Sequence, residues 1–242
     1  IPVQIILSSC ALENNRSLPC AGRIACNLCH RTSDLVFDDT YRTEGDWRIK
    51  ANPLAWGNPE AEIVVLGFSK GPTQAGALTR STHDEIAFKK GRANIGKIFA
   101  HLGLIHTADT PELKNSIDRL IADRNGRFHF GSLIRCTVER HDNGKWNGSG
   151  GGMLDRFIAT PFGRQVAINC ANHFLGKLPM QTRLVVMFGM GNKQNYIKSS
   201  FDLLRSALPG RWTELNEVAY SNGQVTFVHV EHFAAQGALL PN

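Results

Sequence analysis

The sequence predicts an α/β domain whose core is a largely parallel sheet. Three observations carry that expectation. Four apolar runs of strand length recur at wide intervals: Ile63 to Gly67, Phe128 to Cys136, Leu184 to Gly189 and Val225 to Val230. Segments with helical spacing lie between them, as in Asn94 to Leu104, where Ile95, Ile98, Phe99 and Leu102 share one face. The composition, 42% hydrophobic and 20% charged over 242 residues, suits one large globular domain. It excludes a disordered tail, a coiled coil and a collagen-like repeat, and no run is long enough to span a bilayer.

In chain order, residues 1–30 read as a polar, Cys-rich lead-in. The opening Ile-Pro-Val-Gln-Ile-Ile-Leu is too short, and lacks the basic leader, to read as a secretory signal. Gly57-Asn58-Pro59 is a turn before the first strand, and a glycine-rich loop from Gly67 to Gly76 follows that strand. Gly103 stops the Asn94 to Leu104 helix. The stretch Asn143 to Gly152, with its Gly-Ser-Gly-Gly-Gly, reads as the centre of a flexible insertion over about 141–164. Phe162 to Leu175 is expected to be helical, as is about Lys193 to Leu208. The last strand leads into a loop carrying His232. No repeat is visible, so residues 1–242 are expected to form a single domain.

The formal net charge of +6 invites a polyanionic partner, of which nucleic acid is the usual one. The cysteines are Cys10, Cys20, Cys26, Cys29, Cys136 and Cys170. Their clustering fits thiolate ligation in a reducing compartment, with the cytoplasm expected, better than disulfide stapling. Cys26 and Cys29 form a C-x-x-C pair, which lets two thiolates bind one metal ion or one cluster. Cys136 and Cys170 would complete one four-thiolate set. Cys10 and Cys20 would complete a rival, local zinc knuckle. Buried as small hydrophobes, Cys136 and Cys170 would need no metal at all. Ligands of parallel sheets gather at the carboxyl ends of the strands, so the loops after Gly67, around Ser132 and carrying His232 are expected to meet.

The order of these segments resembles the iron–sulfur branch of the uracil-DNA glycosylase superfamily. The likeness runs over about residues 22–240. It comprises the C-x-x-C pair, Gly57-Asn58-Pro59 and the first strand, then the loop Gly67-Phe68-Ser69-Lys70-Gly71. Phe88 follows, leading into a helix, and then Leu133-Ile134-Arg135-Cys136. Cys170 before a strand ending at Gly189, and the final Val228-His229-Val230-Glu231-His232, complete it. The resemblance implies a three-layer α/β/α sandwich with a central, mostly parallel four-stranded sheet. It also implies a 4Fe–4S cluster on Cys26, Cys29, Cys136 and Cys170, with zinc as the lesser alternative, and leaves Cys10 and Cys20 outside. Phe88 would stack on an extruded base, and His232 would donate a hydrogen bond to the departing base. Alternation along Val228 to His232 leaves open which of His229, Glu231 and His232 faces the site.

The departures shape the substrate expectation. The acid expected after Gly67 is Phe68, the next position is Ser69, and Lys70 stands where proline is usual. Ser132 occupies the place of an asparagine that reads the uracil edge. Serine cannot offer the paired amide groups of asparagine and is smaller, so the pocket should be roomier and plain uracil should not be the preferred base. Phe68, Phe88 and Ser132 are thus the candidate base-binding residues. His232, Ser69 and Asp84 are the candidate catalytic ones, with Glu85 beside Asp84. His141 is a weaker candidate covalent nucleophile. Lys70, Arg80, Lys89, Lys90, Arg92 and Lys193 are the candidate contacts to DNA phosphates. Phe233, Gln236 and Leu239 are candidates for a wedge that fills the gap left by the base. The expectation is a monomeric, DNA-binding glycosylase that leaves an abasic site and acts on a modified base. Glucosylated hydroxymethylcytosine of phage DNA, in antiviral defence, is one such base. An ordinary uracil-DNA glycosylase of base-excision repair, and an inactive cluster-bearing DNA binder, are the rivals.

Overall fold

The computed structural model describes residues 18–71, 74, 76–107, 109–148, 153–191 and 195–234. Its strands are β1 (Gly22–Arg23), β2 (Tyr41–Glu44), β3 (Trp47–Lys50), β4 (Leu54–Gly57), β5 (Ile63–Ser69) and β6 (Phe128–Ile134), followed by β7 (Thr137–Asp142), β8 (Lys145–Asn147), β9 (Leu184–Phe188), β10 (Thr213–Asn216), β11 (Ala219–Ser221) and β12 (Thr226–Val230). Its helices are α1 (His83–Ile86), α2 (Arg92–His101), α3 (Thr110–Ala122), α4 (Met153–Ile158), α5 (Pro161–Leu175) and α6 (Tyr196–Ala207). Among the described residues no helix is long and apolar enough to cross a membrane.

The chain is α/β, but its main sheet is larger than expected. Eight strands line up in the order β1-β4-β6-β5-β9-β12-β11-β10. The four strands foreseen from the sequence, β6, β5, β9 and β12, pair in parallel at its centre. Four short antiparallel strands extend it on both sides. These added strands have two to four residues each, too few for an alternating pattern to stand out. A second, antiparallel sheet has the order β2-β3-β7-β8.

The central strands are buried on both faces, so they read as continuous apolar runs. Successive side chains alternate between two cores. Ile63 and Val65 of β5, Phe128 and Phe130 of β6, and Val186 and Phe188 of β9 pack with Phe88, Ile95, Phe99, Ile117 and Ile121 on one face. Val64, Leu66, Val185 and Met187 pack with Phe157, Phe162, Val166, Phe174 and Leu204 on the other. Local chemistry sets the helix starts. Pro161 opens α5 behind Thr160, whose hydroxyl accepts the Gly163 N–H at 3.0 Å. Asn195 caps α6 by accepting the Lys198 N–H at 2.9 Å.

The supposed flexible insertion is largely regular where it is described. β7 and β8 form a hairpin whose turn residues, Asn143 and Gly144, both have positive φ (50° and 75°). Helix α4 follows at Met153. The Gly-rich residues 149–152 lie outside the described residues.

Candidate functional site

The carboxyl ends of the parallel strands carry two groups of side chains, one on each face of the sheet. On the first face, Gly67 of β5 pairs in register with Ser132 of β6. A Cβ added at Gly67 would sit 3.9 Å from Phe88 Cε1 and 4.0 Å from Ser132 Oγ, so these three positions meet. Phe88 is held at φ +49°, an uncommon conformation for a bulky residue. Its ring takes edge contacts from Phe130, Phe188 and Phe233 at centroid distances of 6.2, 6.1 and 5.6 Å.

His232 reaches this group through its neighbour. The His232 ring stacks on Phe233 at 4.2 Å, and the Phe233 carbonyl accepts from Asn94 Nδ2 at 2.8 Å. Nδ1 of His232 accepts the Ala234 N–H at 3.2 Å, so the neutral ring carries its proton on Nε2. His232 is exposed to solvent on one side, yet partial desolvation against its neighbours lowers its pKa, with Glu231 opposing, so the ring is a neutral donor at neutral pH. The choice left open by the sequence is resolved at His229. That side chain lies on the other face, where Nδ1 donates to the Gly189 carbonyl at 2.9 Å and Nε2 faces the Tyr220 hydroxyl at 3.0 Å.

Several expected participants are engaged elsewhere. Asp84 meets Arg124 through both carboxylate oxygens, at 2.6 and 2.7 Å, and His83 at 3.0 Å. Arg124 precedes β6, so this ion pair lies toward the end of that strand opposite Ser132. Glu85 caps its own helix by accepting the Thr82 N–H at 2.8 Å. Phe68 alternates to the other face and packs in the core that holds Cys26. Ser69 keeps the parity of Gly67. Lys70 and Arg92 are buried, at 2% and 8% exposure, and offer nothing to a phosphate. Arg92 bonds the Ala87 and Asp84 carbonyls and the Asp118 carboxylate. Arg80, Lys89 and Lys90 remain exposed, the last two directly after Phe88 in the chain. Phe233 packs inward rather than projecting as a wedge. His141 leans on Trp146 in the small sheet. Lys193, Gln236 and Leu239 lie outside the described residues.

On the second face the four expected cysteines come together. Cys26, Cys29, Cys136 and Cys170 are all free thiols. Cys170 donates to Cys29, which lowers the Cys29 pKa and raises that of Cys170. Cys136 lies within electrostatic range of Cys26 and Cys29, and burial pushes its thiol up to about 12. Burial raises the Cys26 thiol as well, and the contact with Cys29 together with burial raises Cys170; backbone hydrogen bonds from Leu28, Asn52 and Arg135 to Cys26, Cys136 and Cys170 in turn oppose these shifts without reversing them. Asn169 Nδ2 lies 3.5 Å from Cys29 Sγ. Sequence reasoning missed His30, whose Nε2 stands 3.7 Å from Cys136 Sγ and whose Nδ1 has no hydrogen-bond partner. Its place directly after Cys29 was the available signal. A cavity of about 480 Å³, lined by Arg23, Ile24, Cys26, Ser33, Phe37 and Pro53, opens beside this group.

The donor set fits an anionic metal–thiolate group: four thiols, three N–H donors aimed at sulfur, and the cations Arg42, Lys70 and Arg135 around them. Among the described residues no three His, Cys, Asp or Glu side chains are arranged to hold a single metal ion. A multi-iron cluster spreads its sulfur ligands more widely than one ion does. Compared with known proteins, the chain matches no family model and no curated protein.

Proposed function

We propose that this chain is a DNA glycosylase of the uracil-DNA glycosylase superfamily that holds an extruded, non-standard base against Phe88 and hydrolyses its N-glycosidic bond. The meeting of Gly67, Phe88 and Ser132, with His232 stacked on the Phe233 ring that edges against Phe88, is the observation that supports this reading. As the bond between sugar and base breaks, its electron pair leaves with the base, and the Nε2–H of His232 stabilises the anion. Water supplies the hydroxyl that joins the sugar carbon and its other proton goes to the released base, leaving an abasic site. Asp84 is committed to Arg124, so Ser69 is the side chain left in the first loop to orient that water. Serine at 132 in place of an amide favours a modified base over plain uracil. Glucosylated hydroxymethylcytosine of phage DNA, removed in defence, is a substrate of this class.

Arg80, Lys89 and Lys90 would meet the phosphates flanking the extruded nucleotide. Cys26, Cys29, Cys136 and Cys170 would hold a 4Fe–4S cluster, whose ligands are spread more widely than those of a zinc ion. That group supplies a cross-link between segments distant in sequence and takes no part in the hydrolysis. A monomer is proposed with it; Cys20 is disulfide-bonded, which departs from the reducing compartment expected from the cysteine pattern.

The test is base release from oligonucleotides carrying single modified bases, with uracil as the comparison. We expect abasic sites in modified-base DNA, slow release of uracil, and a loss of about 10²–10³-fold on His232→Ala. Fast, preferential uracil release would indicate a repair uracil-DNA glycosylase instead. No base release with intact DNA binding would indicate an inactive binder.

A further inference from the structure

Two cations lie buried beside the four thiols without a carboxylate to balance them. Lys70 is 2% exposed, and its Nζ donates to the Arg135 carbonyl at 2.9 Å. The carboxylate it senses, Asp38, is already paired with Lys50 at 3.0 Å. Arg135 is equally buried at 2%, and its guanidinium lies 5.0 Å from the Phe174 ring centroid. It fills a cradle over Gly131, where an added Cβ would come within 1.7 Å of Nη1. Nη2 approaches His129 Nε2 at 3.3 Å, while Nε and Nη1 have no hydrogen-bond partner. The charges that Lys70 and Arg135 sense favourably include the thiols Cys136 and Cys170 respectively. Isolated buried cations are costly, and an anion in the same dry region offsets that cost.

The chain geometry adds a second point. Along the loop that leaves β5, Gly67 and Ser69 share the parity of the Phe88 face, whereas Phe68 packs on the thiol face and Lys70 reaches across to Arg135 there. One short segment therefore serves both groups of side chains.

We propose that Lys70 is a counter-charge for an anionic metal–thiolate centre on Cys26, Cys29, Cys136 and Cys170, and that it thereby ties the glycine-rich loop of the base site to that centre. This rests on the metal-thiolate part of the proposed function and is independent of which base is excised. Lys70 is a positioning residue: it anchors the loop from the far face and touches no substrate.

The experiment compares wild type, Lys70→Arg and Lys70→Met. Metal and sulfide content of the wild-type protein, as isolated or after anaerobic reconstitution, reports on the centre itself. Chelator-driven metal release reports on Lys70, whichever metal is bound. Release at least tenfold faster in Lys70→Met, with Lys70→Arg near wild type, is expected. In the metal-free protein that difference should vanish: Lys70→Met should melt close to wild type, because no anionic centre is left for the amine to balance and burial already pushes the Lys70 pKa down to about 7. A lysine with only a packing role would lower the melting temperature in both states. Hydrogen exchange over residues 66–71 of the wild-type protein, which needs no variant, should rise once the metal is stripped. Bound metal with equal release rates, or with unchanged exchange in that segment, overturns the role of Lys70 alone. A wild-type protein that takes up no metal overturns the centre and the counter-charge together.

Discussion

A side chain at position 91 would collide with Phe233 at once: a Cβ there falls 2.3 Å from Cδ2 and 2.6 Å from Cε2 of that ring. Gly91 precedes α2, and its bare backbone is the seat on which Phe233 rests, while His232 stacks on the same ring. Gly91→Ala must therefore push the ring. Because Phe233 sits on a loop beyond β12, the ring can yield at a cost of about 1–2 kcal/mol. The imidazole moves with it, and a misplacement of about 1 Å can cost on the order of 10²-fold in rate. The variant should thus release base at least tenfold more slowly in single turnover while its melting temperature falls by only a few degrees; an unchanged rate would separate His232 from the chemistry. Residue-scale roles of this kind were only partly readable beforehand. Phe88 and Ser132 meet at Gly67, and the four cysteines that the family resemblance singles out lie on one face of the sheet, although spacing alone left a rival set open. The fate of Asp84 was hidden, because its partner Arg124 lies 40 residues away. The fate of Arg92 was hidden in the same way by Asp118, 26 residues off. Lys70 looked like a surface cation until its burial was seen, although the alternation that turns it from Gly67 was already in the sequence.

Among the strands of the main sheet, legibility followed length. β5, β6, β9 and β12 have five to seven residues and sit at the centre of the sheet, where burial on both faces leaves an unbroken apolar run. The flanking strands are too short to show a period, and α3 was not foreseen at all, although Pro111 and Glu112 mark its first turn. The β7–β8 hairpin was concealed by the glycine-rich stretch beside it, which drew attention from Asn143-Gly144, a pair suited to a turn with two positive φ angles. That turn can be tested by itself. Nothing lies within 4 Å of a Cβ built on Gly144, so any cost of Gly144→Ala is backbone strain at φ +75°. Strain of this type is worth about 1–2 kcal/mol. Denaturant unfolding should register that loss, with base release unchanged because the hairpin belongs to the small sheet and not to the Phe88 group; a neutral substitution would mean that the turn does not adopt this conformation in solution.

At the scale of the whole molecule, one sheet separates a hydrogen-bonding, aromatic site from a thiol centre, and buried histidines accompany both faces. His83 stacks on Trp56 at 5.0 Å and faces Asp84, with Arg124 beyond it. His129 lies under the sheet between the Asn58 carbonyl and Arg135, and His229 lies between Gly189 and Tyr220. Burial is the largest influence on each and lowers each pKa below the usual 6.5. The sign follows from proton counting. Above about pH 6.5 both folded and unfolded chains hold these rings neutral, and their ionisation contributes no slope. Below that value the unfolded chain takes up protons that the folded chain refuses, so stability falls as the solution is acidified. Glu44, Glu85, Glu112 and Asp118, whose pKa values are lowered by their hydrogen bonds and ion pairs, withdraw their stabilisation at more acid pH, from the ordinary carboxylate range downward. The window from about pH 6.5 to 5 therefore belongs mainly to histidine. Unfolding free energy measured across it should drop for wild type, and His83→Gln, which removes one such ring from a half-buried position, should give a shallower drop at unchanged metal content. A slope that is flat, or equal in the two proteins, would mean that His83 protonates as readily in the folded chain as in the unfolded one, and that its place between Trp56 and Asp84 leaves it open to water.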